Sequence, residues 1–274
     1  MTSILTNNGA MVALQTLKTI NNNLESTQNA ISTGKEVASA KDNSAIWAIS
    51  KVMESDVAGF NAVSDSLALG ESTVAVATAG AEQITELLKE MKEKVVAATG
   101  ENVDNDKITA DVDELKNQIT SIISASQFNG ANLLNSAGGD ITVLSSLDRD
   151  STGAVTSANI TVSSVDFESN LDLTTVDVSS STAADASISE IEALIQTAVD
   201  GAAALGASAA RIEKQSEFVS KVTDAMKSGI GSLVDTDMEE ASARLKALQT
   251  QQQLGVQALS IANSAPQTLQ QLFR

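Results

Sequence analysis

Residues 238–273 read MEEASARLKALQTQQQLGVQALSIANSAPQTLQQLF. Met238, Ala241, Leu245, Leu248, Gly255, Leu259, Ala262, Leu269 and Phe273 fall on one alternating 3,4 spacing, with Gln252 and Pro266 as the exceptions. That spacing is the seam of a coiled coil, a helix with one narrow apolar edge. At the opposite end of the chain Ala10, Leu14, Leu17, Leu24 and Ile31 keep the same spacing, interrupted by Asn21 and Gln28. Two such edges do little alone. The few large side chains on either stripe do not offset the entropy of ordering a whole helix, and an isolated helix is marginal in water. Each end is therefore expected to take a settled shape only when it pairs with the other and with neighbouring copies.

Between the ends the same pattern is longer. Ile46, Ile49, Met53, Asp56, Phe60, Val63, Leu67, Gly70, Val74, Ala77, Ala81, Ile84, Leu88, Met91, Val95 and Ala98 hold the alternation without a slip. A helix over residues 45–98 would span roughly 80 Å at 1.5 Å per residue. Asp42, Asn43 and Ser44 are each able to cap it, and Gly34 and Gly100 are natural stops. Ile108, Val112, Leu115, Ile119 and Ile122 mark a shorter helix ending near Ser126, followed by an Asn129-Gly130 turn. A fourth pattern runs from Ile188 to Leu233, with a capping box at Ser187 and Glu190 as its expected start. The phase slips at Asp235–Asp237, where Thr236 and Glu239 make a second box and predict a joint before the terminal helix.

Residues 138–184 differ in kind. Ser, Thr, Asp and Val dominate, and Ile141–Val143 and Ile160–Val162 alternate as short strands around a Thr152-Gly153 turn. The expected fold is mainly α: long antiparallel helices forming coiled-coil bundles, with a small β-hairpin module inserted centrally, exposed at the tip of the bundle.

Composition narrows the function. Aromatic residues make up 2% of the 274, so packing relies on Ala, Leu, Ile and Val, which suits narrow helix–helix seams. Cysteine and histidine are absent, removing the thiolate nucleophile, the imidazole base and the usual zinc ligands. The acidic pairs Asp235/Asp237 and Glu239/Glu240 are read as capping groups. An enzyme is not expected, nor a cofactor or metal. Asp148-x-Asp150-x-Thr152-Gly153 begins like a calcium loop but has Asn159 at its twelfth position, and reads as a polar turn. A net charge of −18 disfavours nucleic acid and anionic lipid. No apolar run reaches the ~20 residues of a membrane span. The first 17 residues hold no Lys or Arg, so no ordinary cleaved secretory signal is expected.

Four segments carry a resemblance to bacterial flagellin. Ile4–Asn8 followed by Ala10 and Leu14 is similar to the family's opening "INTN…AL…L". Asn29–Lys35, Ala38–Asn43 and Ala48–Ser50 resemble "RLSSG…INSAKDDAA…AIS". Gln127–Gly130 with Leu133-Leu134 resembles "QFNG…LL". Gln249–Arg274, with Ala258–Asn263 and Pro266-Gln267, is similar to "Q…AL…QAN…PQ…LL".

The resemblance implies a subunit that assembles into the flagellar filament for swimming. Residues 1–33 and 235–274 would be the two halves of an inner coiled-coil core. Residues 34–137 and 185–234 would form the outer helical domain, with 138–184 a variable surface module. Leu14, Leu17, Leu24, Ile31, Met238, Leu245, Leu248, Leu259, Leu269 and Phe273 would carry self-assembly. Implied partners are many copies of the chain, the flagellar cap and hook-junction proteins and an export chaperone. Neither nucleic acid nor membrane insertion is implied. The implied location is the extracellular filament, reached through the flagellum's own type III export channel. Lys89–Glu93 corresponds to a stretch that an innate immune receptor sees in Arg-rich members; Glu90 in place of Arg implies weak recognition. The rival readings are a hook–filament junction protein with similar terminal helices and a cytosolic coiled-coil scaffold. The Gln127–Gly130 turn and the Pro266-Gln267 ending favour the filament subunit.

Overall fold

A computed structural model describes residues 7–272, with the side chains from 265 onward left out. The elements run α1 (Asn8–Thr33), α2 (Ser44–Ala98), α3 (Asn105–Ala125), β1 (Ile141–Arg149), β2 (Val155–Val162), a short α4 (Phe167–Asn170), α5 (Ser181–Val234) and α6 (Met238–Leu272). They form two compact units. One contains the described residues up to Ser55 and from Ala225 onward; the other is Asp56–Asp224. The division falls within α2 and α5.

In the Asp56–Asp224 unit, every stripe position of α2 from Phe60 to Ala98 is buried. Val112, Leu115 and Ile119 of α3 and Ile191, Leu205, Ile212 and Val219 of α5 supply the rest of the helical core. Each large apolar side chain so buried stabilises the fold by about 1.5–3 kcal/mol. Exposed ion pairs flank this core: Lys92 meets Glu192 of α5, and Lys94 meets Asp111 of α3 at 2.8 Å. Asp104 caps α3 by accepting from the Lys107 amide. The Asn129-Gly130 turn has both residues at positive φ, 49° and 85°. It closes a two-bond bridge between Phe128 and Ala131.

The central module departs from expectation. The strands are longer than the alternating tripeptides, pairing antiparallel from Ile141↔Val162 to Arg149↔Val155 with a bulge between Leu144 and Ser146. Instead of projecting from a tip, the hairpin lies along α2, with one face buried and most of β2 left exposed. Val143, Ile160 and Val162 are buried, the Leu144 amide donates to Ser66 Oγ at 3.2 Å, and Gln215 donates to the Ser145 carbonyl at 2.8 Å. The cause is small residues on α2. A Cβ at Gly70 would stand 2.5 Å from Val143 Cγ2, and one at Gly59 would stand 2.7 Å from Leu147 Cδ1. Their absence lets β1 close on the helix. Arg149 at the strand's end pairs with Asp56.

The segment after β2 is not β but a packed connection. Phe167, Leu171, Val176 and Val178 are buried, and the Val165 amide donates to the Leu133 carbonyl at 2.8 Å. Asp150 makes the hairpin turn, accepting from the Thr152 and Ala154 amides and the Thr152 hydroxyl. Those bonds to the ionised form hold its carboxyl below the ordinary aspartate value.

Two expected caps are corrected. α5 begins at Ser181, with Ser180 Oγ accepting from the Ala183 amide. Ser187 is buried inside the helix, where its hydroxyl both accepts from the Asp177 amide and donates to the Asp177 carbonyl at 2.8 Å. At α6 the cap is Asp237, which accepts from the Glu239 and Glu240 amides. Thr236 Oγ1 is buried and has no partner among the described residues.

Candidate assembly surface

α1 starts at Asn7, whose side chain accepts from the Ala10 amide and donates to the Ala262 carbonyl of α6 at 2.7 Å. The helix ends at Gly34, in the left-handed conformation at φ 70° that glycine tolerates. From there a short clasp joins the two ends of the chain. The Glu36 amide donates to the Val234 carbonyl at 2.7 Å, and the Thr236 amide donates to the Gly34 carbonyl at 3.0 Å. Asn43 accepts from the Ala45 and Ile46 amides and so opens α2. Asp42 is occupied instead by the Ser39 amide and hydroxyl, which lower its pKa. Lys51 and Lys35 gather on Glu54 just beyond, and the bond from Lys51 leads in lowering the Glu54 pKa.

α1 and α6 pair antiparallel: Asn7 meets Ala262 at one end, and Gly34 meets Thr236 at the other. Midway, Gln252 Nε2 donates to Asn21 Oδ1 at 2.7 Å. Gly255 faces Leu17, whose Cδ1 would lie 3.1 Å from a Cβ there. Leu17, Leu24 and Ile31 are half-buried, as are Leu245 and Leu259, while Leu248 is buried at 7% exposure. Leu14 and Met238 are exposed. The Leu269 side chain and Phe273 lie outside the described residues.

A second set of side chains shares these helices. Met11, Val12 and Leu14 on α1, and Leu254, Val256 and Ile261 on α6, are each more than half exposed. Leu14 apart, the stripe positions do not include them. The seven-residue step from Leu254 to Ile261 is the one sequence signal of this open edge. Ile20, half-buried beside Gly255, was also outside the stripe. Charge is scarce here: α1 holds Lys18 and Glu25 alone, and no charged residue occurs from Ala247 to Phe273. The acidity of the chain is carried elsewhere, so copies brought together along this edge meet little repulsion from it.

The groups considered for chemistry have structural employment. Asp237 caps α6, and Asp235 bridges Lys35 through the backbone. Among the described residues no cluster of three or more side chains suits a metal ion, and no helix is long and apolar enough to cross a membrane.

Residues 4–138 match the bacterial flagellin N-terminal helical region, and residues 188–273 match the bacterial flagellin C-terminal helical region. Flagellin FljO of Caulobacter vibrioides is 41% identical over 279 residues, covering 100% of this chain and 99% of its own. A flagellin of Brucella melitensis is 41% identical over 282 residues and is covered in full on both sides. A crystal structure of Bacillus cereus flagellin superposes with a TM-score of 0.48 at 21% identity, over 55% of this chain and 86% of that one.

Proposed function

Since the chain belongs to the bacterial flagellin family, and is a structural subunit that self-assembles into the flagellar filament, we propose that the α1–α6 pair is the part through which copies join. One observation carries this: six large apolar side chains stand more than half exposed on two helices that already pair with each other, where α1 holds two charged residues and α6 none beyond Lys246. In water such an edge is unfavourable, and covering each large side chain in a neighbour's edge would contribute up to about 2 kcal/mol. The stripe residues Leu17, Leu24, Ile31, Leu245, Leu248 and Leu259 close the pair. Leu14, Met238 and the open edge face the next copy, and Leu269 and Phe273 extend the same stripe.

On this reading residues 1–33 and 235–274 line the inner core. Residues 34–137 and 185–234 make the outer helical domain, and 138–184 faces outward. The chain leaves through the type III export channel without a cleaved signal, held by an export chaperone, and adds between the hook-junction proteins and the cap. Its work is mechanical, with no catalysis. Recognition by the innate receptor is weak, because Glu90 stands exposed where Arg-rich members carry a cation. Electron microscopy of purified protein seeded with short filament fragments tests the proposal. Long filaments are expected; a short ring would favour the hook–filament junction protein, and no polymer would overturn the assembly reading.

A further inference from the structure

The hairpin has two long sides, and they are not equivalent. On β1, backbone groups at Leu144 and Ser145 are taken by Ser66 of α2 and Gln215 of α5. Among the described residues β2 has β1 as its only neighbour in the two-stranded sheet, so its outer edge carries backbone N–H and C=O groups unpaired by any described strand. Natural sheets blunt such an edge with charge, proline or a bulge. Here the bulge is on β1. β2 itself reads VTSANITV, with no charge and no proline, in a chain of net charge −18. Six of its eight residues are exposed, including Val155 at 51%.

We propose that β2 is a lateral docking edge for β2 of a second copy. The occupant follows from what is open. A strand of another chain needs a free edge of its own, and the edge this fold offers is β2, since the β1 side lies against α2 and α5. Joining like to like is a two-fold contact, whereas the head-to-tail contacts that build a helical array are heterologous. A β2–β2 contact therefore joins one filament to another. Its size fits that role. Eight residues a side fall short of the roughly 1,600 Å² of a stable interface, so lone subunits stay apart. Filaments present the edge many times over and are held by multivalency. The acidic surface opposes approach until salt screens it, and the Debye length falls to about 3 Å at 1 M. The contact thus makes filaments associate side by side at high ionic strength. This rests on the filament reading above.

The test compares filaments of the natural chain with those of the double variant Ser157→Lys/Asn159→Lys, by electron microscopy and light scattering from 0.05 to 1 M sodium chloride. Single filaments at low salt and side-by-side bundles at high salt are expected for the natural chain, with the variant remaining single throughout. The two lysines make the chain less negative, so screening alone would make the variant bundle more readily. Bundling of the variant at or below the natural salt midpoint, or no bundling of either at 1 M, overturns the proposal. Failure to form filaments at all would strike the assembly reading instead, and is seen in the same images. Asn159→Cys supplies a second reading, because the chain has no other cysteine. Oxidation should yield disulfide-linked dimers in bundles and none in single filaments; equal dimer in both would place β2 at a contact within the filament and overturn it.

Discussion

Gln252 on α6 donates its side-chain amide to Asn21 on α1 at 2.7 Å, so a polar residue that interrupts one stripe meets a polar residue that interrupts the other. A polar pair bridging the two helices favours one register, because a slip exchanges this bond for bonds to water. Replacing both, as Asn21→Leu with Gln252→Leu, should add about 1 kcal/mol to the pair's stability while releasing its alignment. Filaments of the double variant are expected to show mixed helical forms by electron diffraction. A single form, identical to that of the natural chain, would mean that the pair does not set register.

Leu248 is the most buried of the described assembly-stripe residues, at 7% exposure. Leu248→Asp places a carboxylate in the seam at a cost of several kcal/mol. It should leave a soluble chain that sediments as a monomer after seeding, and Leu245→Asp should do the same. Normal filaments from either would count against the seam.

Gly70 makes room for Val143, and a Cβ there would come within 2.5 Å of Cγ2. Gly70→Ala should lower the stability of the Asp56–Asp224 unit by about 1–3 kcal/mol, read as a drop in Tm. Adding Val143→Ala should recover part of it. No change with Gly70→Ala would show that the hairpin is not seated against α2.

These positions also show how far the sequence could be read. The α2 stripe from Phe60 to Ala98 is buried at every step because nothing but apolar spacing decides that face. Gly70 belonged to that stripe, yet spacing carries no sign of which strand it clears. The hairpin's resting place was hidden for that reason. Ser187 and Thr236 each precede a Glu by three residues, but the same pattern occurs inside a helix, and the caps fall to Ser180 and Asp237. Phe167 is fully buried in a connection with no period at all. On the assembly surface, the 3,4 spacing found the residues that α1 and α6 share. It passed over Met11, Val12, Leu254, Val256 and Ile261, which stand off that seam.

Acid should act in two directions. The chain's pI is about 4.2, so lowering pH from 7 removes negative charge and should speed polymerisation. Asp42, Asp150, Asp172, Asp177 and Glu217 have folded pKa values below their ordinary ones, each held down chiefly by a hydrogen bond to the ionised form. Their contribution is present above the ordinary carboxylate range and is lost as pH falls through the folded values. Seeded growth followed by light scattering should therefore quicken down to about pH 4 and fail below it. A rate that falls steadily from pH 7 would contradict this.

The central claim is that the edge of α1 and α6 is completed only by other copies. Amide hydrogen exchange on residues 10–31 and 238–262, in dilute monomer and in filament, addresses it most directly. These residues should exchange rapidly in the monomer and slow by orders of magnitude in the filament, while residues 60–98 stay protected in both. Equal, strong protection of the two terminal helices in the dilute monomer would contradict the account.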